Sequence, residues 1–494
     1  MDGSLHLTMA PTAPPVNAIS ALSVAPFKPS PRVTRGSFAQ ASMLDVVGHS
    51  TSSLSQATTL VWDSVSKWLP SRNEDCNFWW QKTGPHLASL LLQAGYSVEE
   101  QYESLLFHYH LVVPHLGSRP KPSLYSDVAP APIWKSFMTD DFSPIEYSWK
   151  WDTGKNLSIG RYLGPDIRYG IEAIGPYAGT VVDPRNQAST KAILHQLNLA
   201  NPTIDLTWFH ILTQALFENE LFTLRNEDVD MDNAGLGSSS MFLAFELLKH
   251  ELAVKAYFVP PKPRQTDSAG IDSQERLVQA IRSLNALNTG QKEKSDWTAL
   301  DKTLSFLDSS EDMRKLSVFM IGIDCVKPSE SRLKIYVRSP QTSFDSVVNI
   351  LTMGGKRTGF ERNLHDLKDL WCLTLGLPTD FSTSEELPQR HHATSGICYY
   401  FDTQQGVALP DIKLYIPVRH YGISDLAIAQ GLAKFLEMHE RGIYAAGYLR
   451  ALEALAPLHR LKTSCGVQTY ISCAFQKDGL SMTSYLSPNI YQGV

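Results

Sequence analysis

Three stretches decide the fold: VKAYFVP at 254–260, SRLKIYVRS at 331–339 and IKLYIPV at 412–418. Each holds a Lys-x-Tyr step (Lys255/Tyr257, Lys334/Tyr336, Lys413/Tyr415), and successive steps lie 79 residues apart. One such step is common by chance; three at equal spacing, each inside an apolar strand pattern, mark an internal repeat. Side chains two apart in a strand share a face. The Lys-Tyr face is therefore opposite one built from Val254, Ala256 and Phe258, then Leu333, Ile335 and Val337, then Ile412, Leu414 and Ile416. In an open sheet the apolar face meets helices and the lysines meet water. In a closed sheet the helices lie outside and the polar face lines a lumen. A tyrosine beside every lysine suits a pocket better than a solvated face, and Arg332 adds a cation two residues before Lys334.

The surrounding chain follows the same grammar. Helical periodicity covers 344–353 and 363–375, followed by strand patterns at 396–402 and 411–418. Helices then recur at 425–437 and 442–456, followed by strands at 467–475 and 480–486. The unit helix, helix, strand, strand thus appears twice in succession, and 78–116 reads as helical. Residues 1–55, rich in Ala, Ser, Thr and Pro without periodicity, read as a flexible N-terminal extension to a single domain over 56–494.

Composition narrows the function. Of 494 residues 43% are hydrophobic and 19% charged, which supports a large core and excludes a mainly disordered or fibrous chain. Length alone suggests about three domains, so the repeat reduces that count. A net charge of −6 leaves no broad basic field for nucleic acid. The longest early uncharged stretch, 4–27, holds four prolines and follows Asp2, which suits neither a spanning helix nor a secretory signal. Six scattered cysteines without CxxC spacing suit reduced thiols in a cytoplasmic protein.

Lysines and arginines converging with tyrosines suggest a specific ligand. Cations neutralise a diphosphate, while tyrosine π-faces stabilise a carbocation and exclude water from it. A diphosphate is the leaving group that produces such a cation, so the pattern points to prenyl transfer. In SPIEYSWKW, Glu146 has an apolar and aromatic setting where a carboxylate needs a hydrogen-bonding partner. An indole N–H meets that need; a surface glutamate after a proline turn is the alternative.

At these residues the sequence resembles the fungal aromatic prenyltransferases of the dimethylallyltryptophan synthase type. The resemblance runs from about Phe78 to Tyr485 and includes WWQKTGP, PIE at 144–146, IRYGIE at 167–172, KAYFVP, SRLKIY, KLY and TYIS at 469–472. It implies an α+β fold, the αββα prenyltransferase barrel, with ten antiparallel strands around a lumen and helices outside. It also implies a diphosphate cradle of Arg168, Lys255, Arg332, Lys334 and Lys413, a cation shield of Tyr257, Tyr336, Tyr415 and Tyr470, and Glu146 as the catalytic residue that orients the acceptor. The implied co-substrate is dimethylallyl diphosphate, with no metal or other cofactor. The resemblance further implies small-molecule partners only, with no nucleic acid or membrane, and a monomer or homodimer.

Four departures from the family pattern are informative. Phe319 stands where tryptophan-using relatives place a carboxylate-binding cation, which argues for a neutral Trp-derived cyclic dipeptide or fused indole alkaloid. Gly170 leaves space in the acceptor pocket, and Phe475 replaces a further shielding tyrosine. The strand 241–248 also lacks an inward lysine that some tryptophan-using relatives employ as base.

Competing motifs are weaker. Asp140-Asp141 does not continue as DDxxD, and the Asp228-x-Asp230-x-Asp232 run lacks the glycine and glutamate of a calcium loop. GGKRTG at 354–359 lacks P-loop spacing and reads as a helix-terminating turn, and NAGLGSSS at 233–240 is loop composition. His108, His110 and His115 have no metal-site spacing and read as packing or surface residues. The reading is a metal-independent indole prenyltransferase. A prenyltransferase of a phenolic or xanthone polyketide is the alternative, and a barrel that only binds an isoprenoid diphosphate is the non-enzymatic one.

Overall fold

The structure, a computed structural model, describes residues 59–120, 132–151, 164–218, 239–248, 251–260, 273–288, 296–477 and 479–491. The extension at 1–55, the aspartate run at 228–232 and most of NAGLGSSS lie outside the described residues.

Ten strands form one closed antiparallel barrel: β1 (Ile145–Lys150), β2 (Asp166–Ile171), β3 (Met241–Leu248), β4 (Glu251–Phe258), β5 (Ser317–Asp324), β6 (Leu333–Ser339), β7 (Ile397–Thr403), β8 (Asp411–Ile416), β9 (Gln468–Gln476) and β10 (Gly479–Leu486). Each strand pairs with its sequence neighbour, and β1 closes the ring on β10, from Tyr147 opposite Leu486 to Lys150 opposite Thr483. Closure leaves no sheet edge unpaired.

The repeat read twice in the sequence occurs five times. Helices Glu74–Gln93 and Val98–Phe107 precede β1–β2, and Ala188–Ala200 with Thr207–Thr213 precede β3–β4. Ser273–Asn288 with Thr298–Leu307, Phe344–Leu351 with Glu361–Leu375, and Asp425–Met438 with Ala445–Leu455 precede the remaining three hairpins. The span 78–116 is not one helix: Ser97 and Glu100 form a reciprocal capping box that restarts the chain as Val98–Phe107. GGKRTG reverses the chain after Leu351, with Gly354, Gly355 and Gly359 at positive φ and Arg357 Nη1 donating to the Leu351 carbonyl (2.7 Å).

Alternation divides every strand. The outward residues Tyr147, Trp149, Tyr169, Phe245, Phe258, Ile335, Tyr399 and Leu414 are buried beneath the helices and form the main core. Helix and sheet are also tied by polar contacts: Asp425, in the first turn of its helix, accepts from the backbone N–H groups of Val467 (3.0 Å) and Gln468 (2.8 Å) at the start of β9. Gly431 lets that helix approach Glu361–Leu375 so closely that a Cβ would lie 2.0 Å from the Leu373 carbonyl oxygen.

Candidate active site

The inward faces enclose a cavity of about 490 Å³, and every site residue singled out in the sequence lines it. Because β2, β4, β6, β8 and β10 all run the same way, a cation followed two residues later by a tyrosine in each strand generates two stacked layers. Lys255/Tyr257, Lys334/Tyr336 and Lys413/Tyr415 are the complete pairs, Arg168/Gly170 on β2 keeps only the cation, and Thr483/Tyr485 on β10 keeps only the tyrosine.

In the cation layer the counter-ions come from the intervening strands, and the sequence reading missed them. Arg168 lies 2.7 Å from Glu246 on β3, and Lys255 is paired with the same carboxylate. On β5, Asp324 accepts from Lys334 (2.8 Å) and Arg332 (2.7 Å), and Arg332 also reaches Asp402 on β7 (3.1 Å). Burial opposes ionisation of Glu246, but Lys255 and Arg168 hold its carboxyl down at about 2. Asp324 is likewise held well below the usual range against burial by Lys334 and Arg332. Lys413 differs. It has no carboxylate within ion-pair distance among the described residues, and its hydrogen-bond partner is Thr483 Oγ1 at 3.4 Å. Burial, then the charges of Arg168 and Lys255, push its ammonium down to about 7.

Above the cations lies an aromatic belt. Tyr336 is 6.0 Å from both Tyr257 and Tyr415 between ring centroids, and Tyr415 also meets Tyr470 (6.1 Å). Two further rings complete it: Tyr400 (5.2 Å from Tyr336) and Tyr485 (5.5 Å from Tyr415). Phe242 stacks on Tyr257 at 4.5 Å. Burial pushes the phenols of Tyr336, Tyr400 and Tyr415 well up, so the belt is neutral. Phe475 borders the cavity, but its ring packs against Phe360 (5.1 Å), and its inward neighbour is Ala474.

The far end of the lumen holds Glu146, opposite Gly170 in the β1–β2 ladder. Its Oε1 accepts from Thr469 Oγ1 at 2.7 Å. Burial pushes its carboxyl up to about 7, opposed by the Thr469 hydrogen bond and Arg419 and assisted by Asp140. A Cβ on Gly170 would meet Met138 Cε at 2.9 Å, so glycine maintains this space. The inward residues of β3 are Phe242, Ala244 and Glu246, none of them lysine.

Position 319 is a phenylalanine, but a cation does lie beside it. The guanidinium of Arg338, on the inward face of β6, sits 5.0 Å from the Phe319 ring, and Arg419 faces the cavity just beyond β8. Asp140, read as half of a failed metal motif, pairs with Arg419 (2.7 Å), and Asp141 accepts from Thr139, Ser143 and the Tyr491 backbone. His108 is buried against Thr83 Oγ1 (2.7 Å), His110 contacts Arg72 and His115 contacts Ser189, so the three serve separate packing roles.

A family model described as tryptophan dimethylallyltransferase matches residues 75–451. Prenyltransferase anuH of Penicillium roqueforti is 38% identical, covering 88% of this chain and 93% of its own. Xanthone prenyltransferase B of Emericella nidulans is 34% identical over 88% and 92%. Among solved structures, AnaPT from Neosartorya fischeri superposes with a TM-score of 0.69 at 24% identity, covering 87% of this chain and 98% of that one. No helix among the described residues is long and apolar enough to cross a membrane. With the ten-stranded barrel and its lumen in place, these matches establish that the chain belongs to the tryptophan dimethylallyltransferase family and is an aromatic prenyltransferase of that type.

Proposed function

We propose that the chain transfers a dimethylallyl group from dimethylallyl diphosphate to a carbon of a hydroxylated aromatic acceptor of polyketide type, without a metal ion. The observation that carries this reading is the layering of one lumen: cations at one level, a neutral tyrosine belt at the next, and Glu146 beyond it. Arg168, Lys255, Arg332, Lys334 and Lys413 neutralise the diphosphate, a role that Mg²⁺ fills where carboxylates hold the ligand. The C–O bond breaks with its electron pair going to diphosphate, and Tyr257, Tyr336, Tyr400, Tyr415, Tyr470 and Tyr485 surround the allyl cation with π-faces. Thr469 occupies one oxygen of Glu146 and leaves the other to accept from the acceptor's O–H. That hydrogen bond raises electron density on the ring carbon that attacks. The new C–C bond forms, the ring proton is lost, and the products are prenylated arene, diphosphate and a proton.

The relatives favour the phenolic class: xanthone prenyltransferases A and B are 33% and 34% identical over 87% and 88% of this chain. A second reading, a neutral Trp-derived dipeptide or indole alkaloid, has support from NotF, whose structure in complex with brevianamide F matches at 21% identity and a TM-score of 0.68. An indole N–H would bond Glu146 as well as a phenol does. Incubation with dimethylallyl diphosphate, EDTA and a panel of hydroxyxanthones, dihydroxynaphthalenes, cyclic dipeptides and indoles tests both readings. Products from phenols with EDTA present are expected. Products from indoles alone would move the assignment to the second reading, and strict Mg²⁺ dependence would overturn the metal-free cradle.

A further inference from the structure

The acceptor end of the lumen carries more positive charge than the orientation of one ring requires. Along the inward face of β6 the order is Lys334, Tyr336, Arg338, so this strand ends in a second cation on the far side of the tyrosine belt from the diphosphate layer. Arg338 donates to the Thr394 carbonyl (2.8 Å) and the Ser395 carbonyl (3.4 Å), stacks on Phe319 and hydrogen-bonds Tyr470. All of these partners are neutral. No carboxylate lies within ion-pair distance of Arg338 among the described residues, in contrast to Arg168, Arg332 and Lys334 in the opposite layer.

Neighbouring charge strengthens the asymmetry. Arg419 enters the same cavity, and Arg390 Nε donates to the His420 carbonyl (3.0 Å). After burial, the charges of Arg419, His392, Arg338 and Arg390 help hold the His420 imidazole down at about 4. Among the described residues, Asp140, already paired with Arg419, and Glu146, hydrogen-bonded to Thr469, are the carboxylates on these cations' side of the cavity wall, whereas Glu246 and Asp402 belong to the opposite, diphosphate layer.

We propose that the acceptor is an acidic aromatic, and that Arg338, with Arg419 beside it, binds an anionic oxygen of that acceptor remote from the carbon that is prenylated. This rests on the reading of the lumen as a prenyl-transfer site and refines its acceptor class. The anion is a carboxylate or a strongly acidic enol conjugated to a ring carbonyl, the groups for which a planar guanidinium offers paired donors. Glu146 and Arg338 then divide the acceptor between them: the carboxylate takes the O–H of the reacting ring, and the guanidinium takes the acid. Arg338 becomes a specificity residue whose effect depends on the acceptor rather than on the diphosphate.

Two matched pairs test this, a hydroxynaphthoic acid with its methyl ester and an indole carboxylic acid with its methyl ester, each with dimethylallyl diphosphate. The measured quantity is the acid-to-ester ratio of kcat/KM. The wild type should favour the acid of the pair it turns over by at least about tenfold, the scale of one charge-assisted hydrogen bond. Arg338→Gln should bring that ratio towards one through the KM of the acid, and Arg338→Lys should retain part of the preference. A merely structural role would lower acid and ester together and leave the ratio intact, which would overturn the proposal. So would a wild-type ratio near one, or turnover of neither acid. Turnover confined to the indole pair would refute the phenolic reading while the ratio still decides the role of Arg338.

Discussion

Glu146→Gln separates the chemical role of this carboxylate from its structural cost. Burial pushes the folded-state carboxyl up to about 7, whereas an unfolded glutamate titrates near its ordinary 4.5. The folded protein therefore holds this proton more tightly, and the stability that proton confers is complete below pH 4.5 and is lost as pH rises through 7. The neutral glutamine does not titrate, so the variant should be more stable than wild type by up to about 3 kcal/mol at pH 8 and by less than about 1 kcal/mol at pH 5. Activity should move the other way. Loss of a charged acceptor at the reacting ring should lower kcat about a hundredfold or more. Wild-type kcat/KM for the acceptor should fall roughly tenfold per pH unit below 7, and the variant should show no such limb. Diphosphate binding should change little, because Glu146 lies beyond the tyrosine belt. Melting temperatures at pH 5 and 8, with pH-rate profiles for both proteins, supply the test. A stability gap that does not widen with pH, or equal losses of turnover and diphosphate affinity, would refute the assignment.

Other outcomes follow from the same geometry. Lys413 is half neutral near pH 7 and must be charged to hold a diphosphate, so diphosphate affinity should weaken as pH rises above 7. Burial also pushes Lys255 down to about 8, so calorimetry in two buffers at pH 8 should detect proton uptake that is reduced, not abolished, in Lys413→Met. Glu246→Gln removes the counter-ion of Arg168 and Lys255, so it should tighten inhibition by inorganic diphosphate about tenfold; an unchanged inhibition constant would show that this carboxylate does not compete with the ligand. Gly431→Ala forces a Cβ to within 2.0 Å of the Leu373 carbonyl and should cost about 1–3 kcal/mol by denaturant titration with little effect on KM. A neutral result would mean that the helix crossing is not tight.

The barrel was legible because three of its strands repeat one short pattern at constant spacing. The repeat's other two copies were hidden by substitution: β2 has Gly170 where the tyrosine belongs, and β10 has Thr483 where the lysine belongs. Tyr485 lies 70 residues after Tyr415 rather than 79, so it falls outside the constant spacing. Tyr400 was accessible by parity alone, since it shares a face with Cys398 and Asp402 in β7. The part Glu246, Asp324 and Asp402 play as counter-ions was not. A lone carboxylate has no motif, the chain contains 50 acidic residues, and only strand register reveals which of them sit beside the cradle. Arg338 shares the Lys334/Tyr336 face by the same two-residue spacing, but sequence alone does not show that its guanidinium covers Phe319.

The in-out alternation of the strands, interrupted at register shifts in the β5–β6 and β9–β10 ladders, has an evolutionary consequence. Neighbouring positions along one strand answer to different selective pressures: the outward residue holds the helices, and the inward residue meets the ligand. A change such as glycine for tyrosine on β2 can thus remodel the reaction chamber while the outer packing is inherited intact. Acceptor preference can diverge between descendants without each new activity having to solve folding again.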